Sequence, residues 1–399
     1  MTNSPAPVAV TGVGMSRFRK RRDDADLFGL IQEVAEEALD DAGLAMADVD
    51  AVVLSEAPDA LHGIGHPEQA VPVALGCGGT PILRAHTGGA TGTSAAQLGW
   101  WAVASGRFET VLVVGAEKMG DALQPAQRAL NEIWDPAYEA DLPLNAISMC
   151  AMSAVRYMHR HGATLEQFAA IASRLRTNGT HNEHAHLREA VSVQEAREAT
   201  HICWPITRPM ACPQSSGGCA VVLTSADATR RLSSPAAWIN GFACRTNTYF
   251  MGDKMGGAGD NDHGNAYELR LAAREAYDMA GITDPRSQID VAEPYIPFAP
   301  LEPSIVEALD LADTGTAARR AAEGAFDMGG ELPVNPSGGT LCTNPIAVTA
   351  LVRFADAAQQ VRGRASHQVD GVSTAVTTGV GGSVQFFGVA VLGQEHTYG

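Results

Sequence analysis

The chain has 399 residues, and its 45 acidic side chains outnumber 28 basic ones, giving a formal net charge of −17 at neutral pH. That balance argues against a nucleic-acid or anionic-membrane surface, so an anionic ligand needs a local basic patch. Hydrophobic residues make up 45% and charged ones 18%, with no polar low-complexity tract, which is enough apolar material for one large core or two fused ones and excludes a disordered chain.

In chain order, the β-rich 8–14 (VAVTGVG) predicts a strand. An amphipathic helix follows over Leu27–Ala42, stopped by Gly43, and then a strand over 51–55 (AVVLS). His86–Gly89 leads into a predicted helix Ser94–Ser105, Gly106 and the strand 109–117. Helices are predicted at Met149–His161 and Thr164–Leu175, with a polar stretch at 177–190, so about 118–205 reads as a loop domain laid over a site. After the linker 230–236 the same cassette returns: strand Trp238–Phe242, helix Tyr267–Ala280 stopped by Gly281, and strand Asp290–Pro294. Ser337–Gly339 then leads into the helix Pro345–Val361, Gly363 and the strand 373–379. The expected organisation is a duplicated α/β chain, with an N-terminal half at 1–230 and a C-terminal half at 231–399. The glycine-rich stretch 251–264 cannot hold a helix and reads as a flap.

No apolar run reaches the roughly 20 residues of a spanning helix, and the first residues lack a charged region followed by an apolar stretch and a cleavage site. A soluble, cytoplasmic protein without membrane insertion is expected. Seven cysteines (Cys77, Cys150, Cys203, Cys212, Cys219, Cys244 and Cys342) contain no Cys-x-x-Cys pair, so neither a disulfide framework nor a zinc knuckle is indicated. His181, His184 and His186 have no supporting carboxylate at helical spacing, and no metal is expected. Gly63-Ile64-Gly65 and Gly76-Cys77-Gly78-Gly79 lack the continuation of a dinucleotide fingerprint, which argues against a nicotinamide cofactor.

Several motifs in fixed order carry a resemblance: 157–174 (YMHRHGATLEQFAAIASR), 209–228 (PMACPQSSGGCAVVLTSADA), 291–298 (VAEPYIPF), 335–345 (NPSGGTLCTNP) and 379–383 (GVGGS). Over nearly the whole chain the sequence resembles the thiolase superfamily, in particular its sterol-carrier and lipid-transfer branch. The fold this implies is α/β, five layers built from two similar βαβαβ-type halves with an inserted loop domain. Buried central helices then point their N-termini at a site between the halves. In the family a cysteine at such a helix N-terminus accepts the acyl group, because the helix dipole and free N–H groups lower its pKa.

Matched to the family's Asn-x-x-Cys-Ala-Thr-Gly pattern, HTGGATG (86–92) has Gly89 at the cysteine. Tyr295 stands where the family places Asn or His. Asn344 is the expected replacement of the Gly-His-Pro histidine, although an ungapped match puts Pro345 there, and Gly379 stands at the second cysteine. A Claisen acyl-enzyme on the usual thiol is therefore impossible, while the glycines of two oxyanion holes remain.

Taken from the residues alone, Gly88-Gly89 and Gly379–Gly382 are tight strand-to-helix turns or oxyanion-hole donors. Asn344-Pro345 is explained equally by an N-cap followed by proline. Tyr295 reads as a core aromatic, and His86 as a structural hydrogen-bonding group or a pocket residue. With the resemblance, Tyr295, Asn344 and His86 become the candidate catalytic residues, and Gly89, Gly381 and Gly382 the candidate oxyanion and substrate-binding positions. The implied function is retro-aldol cleavage of a β-hydroxyacyl-CoA by a carbon–carbon lyase similar to steroid side-chain aldolases. CoA is then part of the substrate and no separate cofactor is expected. The resemblance also implies a homodimer and a small zinc-ribbon/OB-fold partner protein. Two alternatives stand beside it: an acyltransferase with another nucleophile such as Cys342, and a non-catalytic acyl-CoA or lipid carrier.

Overall fold

The structure is a computed structural model that describes residues 6–56, 59–122, 125–255 and 262–397. The first half contributes strands β1 (Val8–Met15), β2 (Ala51–Ser55), β3 (Ile82–Ala85), β4 (Thr110–Lys118) and β5 (Ser216–Ser225). Its helices are α1 (Leu27–Ala42) and α2 (Thr91–Ala104), and α3 (Ala146–His161) and α4 (Leu165–Thr180) lie between β4 and β5. The second half contributes β6 (Ala237–Thr246), α5 (Tyr267–Ala280), β7 (Val291–Glu293), α6 (Ile346–Arg362), β8 (Thr374–Gly381) and β9 (Phe386–Gly393).

Strand order shows the internal repeat. The first sheet runs β3-β2-β4-β5-β1 and the second β7-β8-β9-β6, so the order β2-β4-β5-β1 is reproduced by its counterparts. A short antiparallel pairing of β1 with β6, Ala9 opposite Trp238 and Val10 opposite Ala237, joins the two into one nine-stranded sheet. Helix α1 covers the outside of the first sheet and α5 the outside of the second, while α2 and α6 pack together between them. These are the five layers that the resemblance implied.

The repeat extends to single atoms. A Cβ added to Gly12 would stand 2.1 Å from the Ala38 carbonyl of α1, and one added to Gly241 would stand 2.0 Å from the Ala276 carbonyl of α5. In both halves, a missing side chain lets a helix backbone lie against the strand.

The outer helices follow from their patterns. Helix α1 buries Leu27, Leu30, Ile31, Val34, Ala38 and Leu39 on one face, starts at Asp26, whose carboxylate accepts from Gly29 N, and ends at Gly43 in the left-handed region. Helix α6 is different, with almost every side chain from Ala347 to Arg362 buried. Its Arg353 is buried in an ion pair to Glu293 at 2.8 Å and to Asp356 at 2.7 Å, with a further hydrogen bond to Ser337 Oγ. Such a pair holds the central helix to the end of β7, because breaking one partner leaves a buried charge. Helices α3 and α4 pack with the segment 299–332 into a separate apolar cluster that includes Phe168, Ile171, Leu175, Val306 and Phe326.

The observed boundaries differ from the sequence expectation at both kinds of helix end: α2 starts at Thr91 and α3 at Ala146, and α4 runs on to Thr180, past the expected Leu175 and into the stretch read as polar loop. For α3 the physical reason is a capping box, in which Asn145 and Ser148 satisfy each other's backbone N–H groups.

Candidate active site

Four chain turns meet at the N-terminal ends of the central helices. His86–Gly89 precede α2, Tyr295 follows β7, Asn344 precedes α6, and Gly381-Gly382 close β8. Together with Cys150 of α3 and Cys212 they line a cavity of about 630 Å³, walled by apolar side chains such as Ile147, Leu269, Phe298 and Phe387. This is the size and lining of a small-molecule pocket. All six expected site residues, His86, Gly89, Tyr295, Asn344, Gly381 and Gly382, face this one cavity.

The relation between Tyr295 and Gly89 dominates its floor. A Cβ placed on Gly89 would stand 2.7 Å from the Tyr295 hydroxyl, 3.2 Å from its Cζ and 2.5 Å from the Val380 carbonyl. The phenol therefore occupies the space into which a side chain at position 89 would project. Tyr295 is itself buried, and its backbone N–H donates to Thr378 Oγ1 at 2.9 Å. Desolvation pushes its pKa above the ordinary phenol value, with smaller contributions from Cys212 and Cys150. At neutral pH this hydroxyl is a proton donor and not a base.

Asn344 corrects one sequence reading, because it does not cap α6. The cap position belongs to Pro345, and no side chain caps the first turn. Instead Asn344 Oδ1 accepts from Thr349 Oγ1 at 2.8 Å, and Nδ2 donates to Cys212 Sγ at 3.2 Å. Having no N–H, Pro345 cannot donate a backbone hydrogen bond, and the amide is turned to bridge the helix's first turn and the Cys212 segment. His86 stands at the rim with an exposed ring, and partial desolvation, then Arg84, hold its imidazole below the usual range, hence neutral at pH 7.

Gly379 does not line the cavity. A Cβ there would stand 2.2 Å from Thr93 Oγ1, so the β8 turn is closed against α2 at this residue, and Val380, Gly381 and Gly382 face the site. Gly88-Gly89 form a single 3₁₀ turn that runs into α2, a place where backbone N–H groups lack helical partners.

Cys342 is removed from consideration by its position. It is fully buried against α4, its thiol donates to Leu175 O at 3.4 Å, burial pushes its pKa up to about 12, and it lies outside the cavity lining. The cavity thiols are Cys150 and Cys212. Burial raises both, Cys212 to about 12, so both are thiols at neutral pH.

Sequence reasoning missed the polar groups on the far wall. Lys254 is buried with its ammonium donating to Ser383 O at 2.6 Å, and desolvation lowers its pKa to about 8. His263 Nε2 donates to Met149 O at 2.9 Å. Both line the cavity and both lie in the stretch 251–264, whose only advance signal was its glycine content. Residues 256–261 of that expected flap lie outside the described residues; 252–254 form one helical turn. The three clustered histidines are dispersed in space, with His181 stacked on His367 and His186 Nδ1 bonded to Ser215 Oγ at 3.0 Å.

Comparison with known proteins gives the same picture for both halves. Residues 8–203 match the thiolase N-terminal domain and residues 260–394 the thiolase C-terminal domain-like family. The chain is 30% identical over 380 residues to an acetyl-CoA acetyltransferase of Methanothermobacter thermautotrophicus, covering 94% of this chain and 96% of that protein. It is also 30% identical over 401 residues to a steroid side-chain-cleaving aldolase of Thermomonospora curvata, covering 96% of this chain and 97% of that one. Among solved structures the Ltp2-ChsH2(DUF35) aldolase superposes with a TM-score of 0.83 at 27% identity, covering 98% of each chain.

Proposed function

Because this chain belongs to the thiolase family yet carries glycine at both of the positions where the family's thiols are expected, we propose that it is a carbon–carbon lyase cleaving a β-hydroxyacyl-CoA. The substrate class is an acyl-CoA whose β-carbon bears a bulky, steroid-like group. The observation that carries this reading is the seat of the Tyr295 hydroxyl over Gly89, where a nucleophilic side chain would otherwise project.

The chemistry balances without a cofactor. A base removes the β-hydroxyl proton, the Cα–Cβ bond breaks as the ketone forms, and its electrons become the thioester enolate. Tyr295, held protonated, donates to that enolate, and the proton taken by the base restores the phenol. His86, neutral at the rim, is the base in this reading, and Asn344 is a polar donor at the position of the family histidine. The N–H groups around Gly89, Gly381 and Gly382 stabilise the enolate oxygen. The apolar walls receive the ring system.

Relatives of both chemistries exist, so acyl transfer is the second reading. It requires a thiolate, and the raised pKa values of Cys150 and Cys212 weigh against one. Intact mass after incubation with acetyl-CoA separates the two: the lyase reading expects an unchanged mass, and an added acetyl group would revive acyl transfer. Tight acyl-CoA binding without turnover, even with the partner present, would instead favour the carrier. The solved relative whose name joins an aldolase to a DUF35 protein supports assembly with a small zinc-ribbon/OB-fold partner. Among the described residues no helix is long and apolar enough to cross a membrane, and the reading keeps the protein in the cytoplasm.

The test is turnover of the chain, with that partner, on a β-hydroxyacyl-CoA bearing a steroid-like ketone precursor. Equal amounts of ketone and shortened acyl-CoA are expected. Thiolysis of a β-ketoacyl-CoA by free CoA, in place of this cleavage, would overturn the proposal.

A further inference from the structure

Outside the cavity, the C-terminal ends of β2 and β4 bring together three side chains that the proposed reaction does not use. The parallel pairing of β2 with β4, Leu54 opposite Val114, sets Glu56 just beyond one strand near Glu117 of the other. His62, at the end of the short helix Asp59–His62, turns its ring toward both. Its Nε2 lies 2.9 Å from Glu117 Oε2 and 3.4 Å from Glu56 Oε1, and one ligand atom of each residue lies within 4.8 Å of the others.

Two properties distinguish this group from an ordinary acidic cluster. Glu56 is 1% exposed and Glu117 fully buried, whereas acidic clusters usually face water. Among the described residues neither oxygen of Glu56 has a hydrogen-bond partner, although Glu56 Oε1 points at the imidazole. Burial and then the neighbouring Glu117 push the Glu56 pKa well above the usual carboxylate range, only partly opposed by Arg84, whose guanidinium is ion-paired to Asp59 at 2.8 Å. A buried carboxylate without hydrogen bonds is expensive, and a second carboxylate beside it adds repulsion that a cation between them would relieve.

We propose that Glu56, His62 and Glu117 form a binding site for a divalent transition-metal ion of the zinc type. On binding, the ion displaces any proton held by the Glu56 carboxyl, and two carboxylates with a neutral imidazole then balance its +2 charge. With metal–ligand bonds near 2.0–2.2 Å, tetrahedral ligand atoms stand about 3.3 Å apart, and the 2.9 and 3.4 Å separations around His62 Nε2 bracket that value. The ion replaces the His62–Glu117 hydrogen bond and gives Glu56, which has no hydrogen bond among the described residues, a ligand bond. Its role is structural: it ties the ends of β2 and β4 to the Asp59–His62 turn, and its ligand Glu117 stands two residues before Met119, which lines the cavity. No sequence spacing announces the site, because its ligands come from three separate elements.

The full chain, stripped with a chelator and dialysed, should take up one equivalent of cobalt(II) with intense visible d–d absorption, displaced by zinc(II), and its Tm should rise with either ion. Glu56→Gln, which mimics the protonated acid and keeps the shape, should fold without metal and lose both the absorption and the Tm response. The surface histidines serve as the competing explanation. Absence of the cobalt bands in the wild type overturns the proposal, and so does binding that survives unchanged in Glu56→Gln.

Discussion

The Tyr295 hydroxyl lies 2.7 Å from the point where a Cβ on Gly89 would stand. The two positions are complementary: the side chain absent from one is the volume filled by the other. An acyl-accepting thiol and this tyrosine cannot share the floor of the cavity without movement of the Val380 turn.

Gly89→Ala and Gly89→Cys should therefore both destabilise the protein. The added atom meets a backbone carbonyl at 2.5 Å as well as the phenol, and overpacking of this kind costs about 1–3 kcal/mol. A drop in Tm for both variants, and no acetylation of Gly89→Cys by acetyl-CoA, is the expected result. A Gly89→Cys protein as stable as wild type and acetylated at that thiol would show that the tyrosine yields easily.

Asn344→Ala should lose stability because Thr349, fully buried, would keep its hydroxyl but lose its acceptor. Leaving such a group unpaired costs about 1–3 kcal/mol, whereas removing both partners costs less. Adding Thr349→Val to Asn344→Ala should thus recover part of the lost Tm. Were Asn344 acting as a helix cap, the second change would recover nothing.

Lys254 gives a pH dependence with a definite sign. Its pKa falls from 10.5 to about 8 on folding, so between these values the unfolded chain binds the extra proton and stability rises with pH. Below about 8 both states are charged and the burial cost is constant. The full effect is on the order of 3 kcal/mol, and Lys254→Met should lack it. The Tm difference between wild type and Lys254→Met should shift toward the wild type from pH 7 to pH 10. A difference independent of pH would mean that the ammonium is solvated.

Among the described residues β3 ends the sheet, and Leu83 within it is 62% exposed, which leaves an edge for pairing. The expected assembly is a homodimer that continues the sheet across a two-fold axis, read by light scattering as twice 41.7 kDa. A single species of 41.7 kDa at micromolar protein would contradict it.

Much of the scaffold was legible because it is local. Leu27–Ala42 and Tyr267–Ala280 are amphipathic stretches stopped by Gly43 and Gly281, and the helices observed have those bounds. The site was legible as a set of positions but not as contacts. That Asn344 reaches Thr349 and Cys212, or that Gly379 turns toward Thr93, depends on how distant turns pack. The short joint of Ala9 and Val10 with β6, Lys254 beneath Ser383, and the meeting of Glu56, His62 and Glu117 are tertiary in the same sense. No periodicity or motif encodes them.

This thiolase-family chain is proposed to break a carbon–carbon bond with Tyr295 as proton donor. The most direct measurement compares wild type and Tyr295→Phe, each with the partner protein, on a steroid-like β-hydroxyacyl-CoA, with Tm and acyl-CoA binding recorded alongside. The change removes one hydroxyl and keeps the ring, so folding and binding should hold while turnover falls about 10²–10⁴-fold. Tyr295→Phe turnover above about a tenth of wild type, outside the range expected for loss of such a group, would contradict the account.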